Sequence, residues 1–248
     1  MENQNKVAKI TIYFWIMKIF ATTLGETFGD HLSMTYDIGY LISLLITIGF
    51  FIIVLLIQLK ANKFHAGLYW LVIVGSTSAG TEVSDFMDRT LGLGYAFGSL
   101  ILFSLLMITL YLWHKREIGI RVYPVTEKRV ELYYWIVILI SNSLGTAFGD
   151  YLTDNIGLSY LAGAGVTSVI IVVVILLHHY TKLNDILLFW IAFIFTRPFG
   201  ATFGDLLTKP LSKGGLDLGT GAATFVTALL LASVVWYSSR KEKVVSIV

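Results

Sequence analysis

The stretch Trp15-Ile16-Met17-Lys18-Ile19-Phe20-Ala21-Thr22-Thr23-Leu24-Gly25-Glu26-Thr27-Phe28-Gly29-Asp30 decides the fold, because the chain writes its skeleton four times. The fixed points are a Trp, a Gly ten residues on, a Gly or Ser four further, and then an Asp. The other copies are Trp70, Gly80, Ser84, Asp85; Trp135, Gly145, Gly149, Asp150; and Trp190, Gly200, Gly204, Asp205. They begin 55, 65 and 55 residues apart, so the first and third copies are separated by 120 residues, as are the second and fourth. Self-similarity at fixed spacing marks a repeat architecture. This spacing implies two successive duplications.

The surroundings of the repeat place it in a membrane. The 248 residues are 56% apolar and 14% charged, with a mean hydropathy of +0.77, which is the balance of a polytopic membrane protein rather than a soluble domain. The absence of cysteine excludes disulfides and thiolate metal sites. Apolar runs predict an all-α chain of eight transmembrane helices, over residues 9–30, 38–59, 67–87, 93–113, 131–152, 158–179, 186–207 and 217–238, each about 20 residues and long enough to cross ~30 Å of hydrocarbon. The polar start carries no cleavage pattern, so the first span is expected to be retained.

With the N-terminus inside, the inner segments hold thirteen Lys and Arg, whereas the outer loops hold only Arg89, Lys209 and Lys213. Both termini are therefore expected on the cytoplasmic side of the membrane. Each repeat reads as a helical hairpin. All four hairpins share one orientation, related by pseudo-twofold and approximate fourfold symmetry about the membrane normal. The chain divides into a first half (1–113), a basic cytoplasmic linker (114–130) and a second half (131–248). The even spans are apolar on most sides and are expected to face lipid around an inner layer of odd spans.

Stepping back by fours from each Asp follows one helix face. The first copy gives Asp30, Glu26, Thr22 and Lys18; the second Asp85, Thr81 and Thr77; the third Asp150, Thr146 and Asn142; the fourth Asp205, Ala201 and Arg197. Glu82 adds a sixth acid. If the odd helices surround an axis, these stripes line a polar cavity, where ionisable groups pair or bind ions. Asp30, Asp85, Asp150, Asp205 and Glu26 are hard oxygen ligands suited to a divalent cation. Glu82, Thr22, Thr77 and Asn142 complete the candidate ion-binding set, and Lys18 and Arg197 supply counter-charge or gating. The structural readings stand beside these. Gly25, Gly29, Gly80, Ser84, Gly145, Gly149, Gly200 and Gly204 allow close helix packing. Trp15, Trp70, Trp135 and Trp190 serve as interfacial anchors. Each Asp could instead cap a following short segment. His31 at the outer mouth reads as a solvated side chain.

Through these Trp residues and the Gly-x3-Gly/Ser-Asp endings, the chain resembles, over nearly its full length, a bacterial integral-membrane family of four tandem "repeat of unknown function" units, each with two transmembrane segments and a Trp. The Gly29-Asp30 ending with upstream Glu26 is also loosely similar to acidic Gly-Asp signatures of some cation exchangers. The sequence favours a transporter of a small cation, most simply a divalent metal such as manganese or magnesium, with proton coupling left open. The alternatives are an anion or small-solute transporter using Arg197 and Lys18, or a membrane scaffold or sensor. No metalloprotease, nucleophile-elbow or nucleotide-binding motif is present, so neither an enzyme nor an ATP-driven pump is expected. The expected partners are the lipid bilayer and a small ion or solute, with a homo-oligomer left open; no nucleic-acid partner and no covalent cofactor is expected.

Overall fold

A computed structural model describes residues 5–117 and 119–245, and among them every regular element is helical. The eight helices are α1 (Ile12–Asp30), α2 (Gly39–Lys60), α3 (Ala66–Asp85), α4 (Tyr95–Arg116), α5 (Lys128–Asp150), α6 (Tyr160–Tyr180), α7 (Asp185–Thr208) and α8 (Thr220–Val245). Six of them, all but α1 and α3, are long and apolar enough to cross a bilayer. The polar stripes of α1 and α3 lower their hydropathy, and these stripes are buried inside the protein.

The helix starts follow local chemistry. Thr11 accepts the amide of Phe14, Ser159 that of Ala162, and Asn184 those of Ile186 and Leu187. The first three odd helices widen into a π-type turn after the Asp, at His31–Thr35, Phe86–Thr90 and Tyr151–Asn155. A residue with positive φ then redirects the chain, Asp37 at 53° in the first repeat and Gly92 at 69° in the second, residue types that tolerate the left-handed region.

The odd helices form a closed ring in the order α1, α3, α5, α7 and back to α1. Each even helix packs outside it, but not on the odd helix of its own repeat. Helix α2 lies on α3, α4 on α5, α6 on α7, and α8 returns to α1. The expected self-contained hairpins are therefore replaced by an interlocked ring, because the turn after each odd helix carries the chain sideways before the even helix begins.

Close approach within the ring depends on the first glycine of each motif. A Cβ added at Gly25 would fall inside Thr77, at Gly80 against Asn142, at Gly145 into Arg197 and Pro198, and at Gly200 inside Thr22. The same pair of repeat positions meets at all four seams, the glycine five residues before one Asp and the residue eight before the next. Small residues at these positions let the helix backbones touch.

The two ends of the ring differ. At the Trp end, Trp70, Trp135 and Trp190 are 3%, 0% and 4% exposed, and Trp15 is half-buried. The expected interfacial anchors are instead a packed aromatic layer with Phe14, Tyr69, Tyr134 and Phe189, in which the Tyr69 and Tyr134 hydroxyls are 2.6 Å apart. Beyond this layer the N-terminal segment crosses the linker. The amide of Lys6 donates to the carbonyl of Val125 (3.0 Å), and the amide of Val125 donates to Oδ1 of Asn5 (3.0 Å). Residues 5 and 125 are equivalent under the 120-residue duplication. Equivalent segments that touch one another must straddle the pseudo-twofold axis, so the crossing closes the ring at its Trp end. Lys6 Nζ donates to Glu131 Oε2 at 2.7 Å and to the Leu59 carbonyl at 3.0 Å, and Gln58 Nε2 donates to the other Glu131 oxygen at 3.2 Å. This buried cluster pins the crossing in place.

Candidate functional site

The stripes read from the sequence converge inside the ring. Lys18, on α1, crosses to the opposite helix α5, where its Nζ donates to Asn142 Oδ1 at 3.1 Å; it also lies 3.9 Å from the centre of the Phe193 ring. Asn142 Nδ2 donates to Ser76 Oγ on α3 at 3.0 Å. One turn nearer the Asp end, Arg197 reaches from α7 to two other helices. Its Nη2 donates to Glu26 Oε2 at 2.8 Å and to Thr81 Oγ1 at 2.5 Å, and its Nη1 to the Thr22 carbonyl at 3.4 Å. Thr22 and Thr77 return their hydroxyls to backbone carbonyls, Thr22 to those of Lys18 and Ile19 and Thr77 to those of Val74 and Ala21. Lys18 and Arg197 are fully buried, so the axis carries two basic side chains at mid-depth, with Glu26 paired to Arg197.

Asp30, Asp85 and Asp150 end their helices and Asp205 lies in the last turn of α7, and the four form a buried rim. The helices run unbroken through the motif glycines to Asp30, Asp85 and Asp150, none of which makes a side-chain cap bond to the turn beyond it. The capping alternative therefore fails at these three positions. Two bases that stepping back from the Asp did not reach join the rim instead. Lys209 Nζ lies 2.6 Å from Asp30 Oδ2 and 3.1 Å from Asp205 Oδ1, bridging α7 to α1. Arg89 Nε lies 3.0 Å from Asp85 Oδ1 and its Nη2 3.3 Å from Asp150 Oδ2, bridging α3 to α5. Residues 89 and 209 are 120 apart, each one turn beyond its Asp, so continuing the same step of four forward would have found both. Burial acts to lower the pKa of Lys209, but Asp205 and Asp30 more than reverse it, and the net shift is upward. Arg89 is shifted upward in the same way, burial being outweighed by Asp85 and Asp150. Both bases are cationic at any working pH. The six acids of the sequence reading thus face four bases, a formal −2 in place of −4.

The rim is asymmetric. Carboxylate oxygens of Glu26, Asp30 and Asp205 lie within 4.8 Å of one another, with the Lys209 ammonium between the two Asp. Across the pseudo-twofold axis the counterpart of Glu26 is Thr146, which offers no charge, and the bridging base is an arginine. Glu82 is not on the axis. It lies at the α1–α3 seam beside Gly29, and neither carboxylate oxygen has a basic group within 4 Å among the described residues. His31 is half-buried rather than solvated, its Nδ1 2.9 Å from Thr220 Oγ1 and its ring packed on Tyr36. Roomy grooves of 620 Å³ and 480 Å³ lie on the outside of the ring, between α3 and α8 and between α4 and α7.

The model of one family, described as Repeat of Unknown Function (DUF347), matches four times in tandem, at residues 13–64, 68–118, 133–184 and 188–243. No curated protein and no solved structure matches the chain.

Proposed function

We propose, for a chain that belongs to the Repeat of Unknown Function (DUF347) family, that it transports a hard divalent cation across a bacterial inner membrane. The single observation that carries this reading is the buried cluster of Glu26, Asp30 and Asp205, three carboxylates from two neighbouring helices with oxygens within 4.8 Å. Carboxylate oxygens suit Mg²⁺, Mn²⁺ or Ca²⁺. Lys209 already neutralises part of the cluster, so an arriving cation competes with a tethered ammonium for Asp30 and Asp205.

In this reading all eight helices span the membrane as four parallel repeats. Helices α1 and α3 share one ring with α5 and α7, which are apolar enough to span on their own. The excess of Lys and Arg on the Trp side supports placing that end and both termini in the cytoplasm, with the Asp rim outside. Arg197 and Lys18 block a continuous cation path at mid-depth, which favours a transporter that rearranges over an open pore.

The test is ion flux into proteoliposomes across Mn²⁺, Mg²⁺, Ca²⁺, Na⁺ and protons. Flux of one divalent ion is expected, and Asp205→Asn should abolish it. Lys209→Met removes the competitor and should tighten binding of that ion at least tenfold, equivalent to about 1.4 kcal/mol. Folded protein in the vesicles with no flux of any divalent ion would sink the proposal. One observation favours a second reading, transport of an anion: Lys18 is buried beside Arg197 with no carboxylate within 4 Å among the described residues. Loss of anion flux in Arg197→Gln, with Asp205→Asn still active, would put that reading first.

A further inference from the structure

The groove between α3 and α8 is a trough with one charged end. Its walls are Leu71 and Val74 on one side and Ala228, Leu231 and Ala232 on the other. Arg240 closes it at the Trp end, its guanidinium carbon 4.0 Å from the centre of the Trp236 ring. Lys9 lines the small hollow that adjoins this end and shares Trp70, Val235 and Ser239 with the trough. Arg240 and Lys9 are exposed, and neither has a carboxylate within 4 Å among the described residues. From Ala228 to Arg240 the wall of α8 rises through twelve residue steps, about 18 Å as a helix, close to the ~15 Å depth of one leaflet's hydrocarbon. The groove between α4 and α7, on the opposite flank of the ring, has no basic side chain in its lining.

We propose that the α3–α8 trough is a specific site for an anionic phospholipid of the leaflet at the Trp end. One acyl chain lies along the trough and the phosphate is held by Arg240 and Lys9. The complementarity is twofold. An apolar channel one leaflet deep fits a single chain, and a guanidinium already held against an indole presents its donors to a phosphate with less ordering left to lose. Ordinary bilayer lipid would fill either groove; the paired bases at one end select for negative charge. The site stands apart from the carboxylate cluster and does not depend on what the ring transports.

The experiment measures the apparent Tm of the purified chain in neutral detergent, with added phosphatidylglycerol, phosphatidylcholine of the same acyl chains, or glycerol 3-phosphate. Phosphatidylglycerol is expected to raise Tm by about 5 °C or more at saturation, well above phosphatidylcholine, with glycerol 3-phosphate having little effect. Arg240→Gln with Lys9→Gln should erase the preference for negative charge. Ala232→Phe, which fills the trough, should remove the stabilisation by phosphatidylglycerol while leaving the protein folded without lipid. Lys115→Gln with Arg116→Gln, at the end of α4, should change neither. Equal stabilisation by the two lipids, or a preference that survives the loss of Arg240 and Lys9, overturns the proposal. Stabilisation by glycerol 3-phosphate equal to that by the lipid also overturns it, since the trough would then contribute nothing.

Discussion

Arg197 and Glu26 form a buried ion pair, and such pairs are unforgiving when one partner is removed. Glu26→Gln should destabilise the fold by about 3–5 kcal/mol, measured by reversible denaturation in mixed micelles. The double variant Glu26→Gln, Arg197→Gln should cost less than the sum of the two single changes. Additive losses would show that the pair is not coupled. The glycines make a second residue-scale prediction. Gly25→Ala or Gly200→Ala drives a methyl into a neighbouring threonine and should block folding or cost several kcal/mol, whereas Gly165→Ala, with open space around it, should stay within about 1 kcal/mol. At this scale the sequence was readable where spacing repeats and silent where it does not. The polar stripes, their glycines and the two buried bases follow from steps of four along a helix. Which helix Lys18 and Arg197 reach across to does not, because a side chain's partner on another helix is set by ring order. Arg89 and Lys209 were legible in principle, one turn beyond their Asp, but they read as loop residues because the apolar runs stop short of them.

At the scale of elements, the helices other than α8 were legible to within a few residues because apolar runs of about 20 residues mark them. The packing partner of each even helix was not, since a helix apolar on most sides carries little information about its neighbour. Pro198 shows the difference between rule and context: α7 continues through it from Asp185 to Thr208, and the ring packs over Gly145 of α5. Residues 5–8, part of a start read as a polar lead-in, are instead buried at the crossing with the linker, held by Lys6, Gln58 and Glu131. Glu131→Gln leaves Lys6 without its counter-charge and should release this segment. Hydrogen exchange should then accelerate at the amides of Lys6 and Val125 and remain unchanged in α7 near Asp205. Unchanged protection at Lys6 and Val125 would show that the pin does not hold the crossing.

At the scale of the whole molecule, neither half closes on its own. Helix α4 of the first half packs on α5 of the second, and α8 of the second on α1 of the first. Chains cut between residues 119 and 120 and expressed together should co-purify as a one-to-one complex through a tag on either piece, whereas each piece expressed alone should not give a folded monomer. Size-exclusion chromatography with light scattering separates these outcomes; a stable monomeric half would contradict the interlocked arrangement. The 120-residue period announced two related halves from sequence alone. That they interleave rather than sit side by side came only with the ring order.

The return of α8 to α1 has a consequence for topology. A stack of repeats has two open ends and needs caps, but here the last repeat covers the first just as each covers the next. Lys241 Nζ lies 3.3 Å from the Tyr13 hydroxyl, so the end of α8 and the beginning of α1 are neighbours in space. A circular permutant that opens in the linker and joins the region after α8 to the segment before α1 through a short tether would keep every helix contact in the ring, and the fold would be indifferent to which of its repeats is translated first.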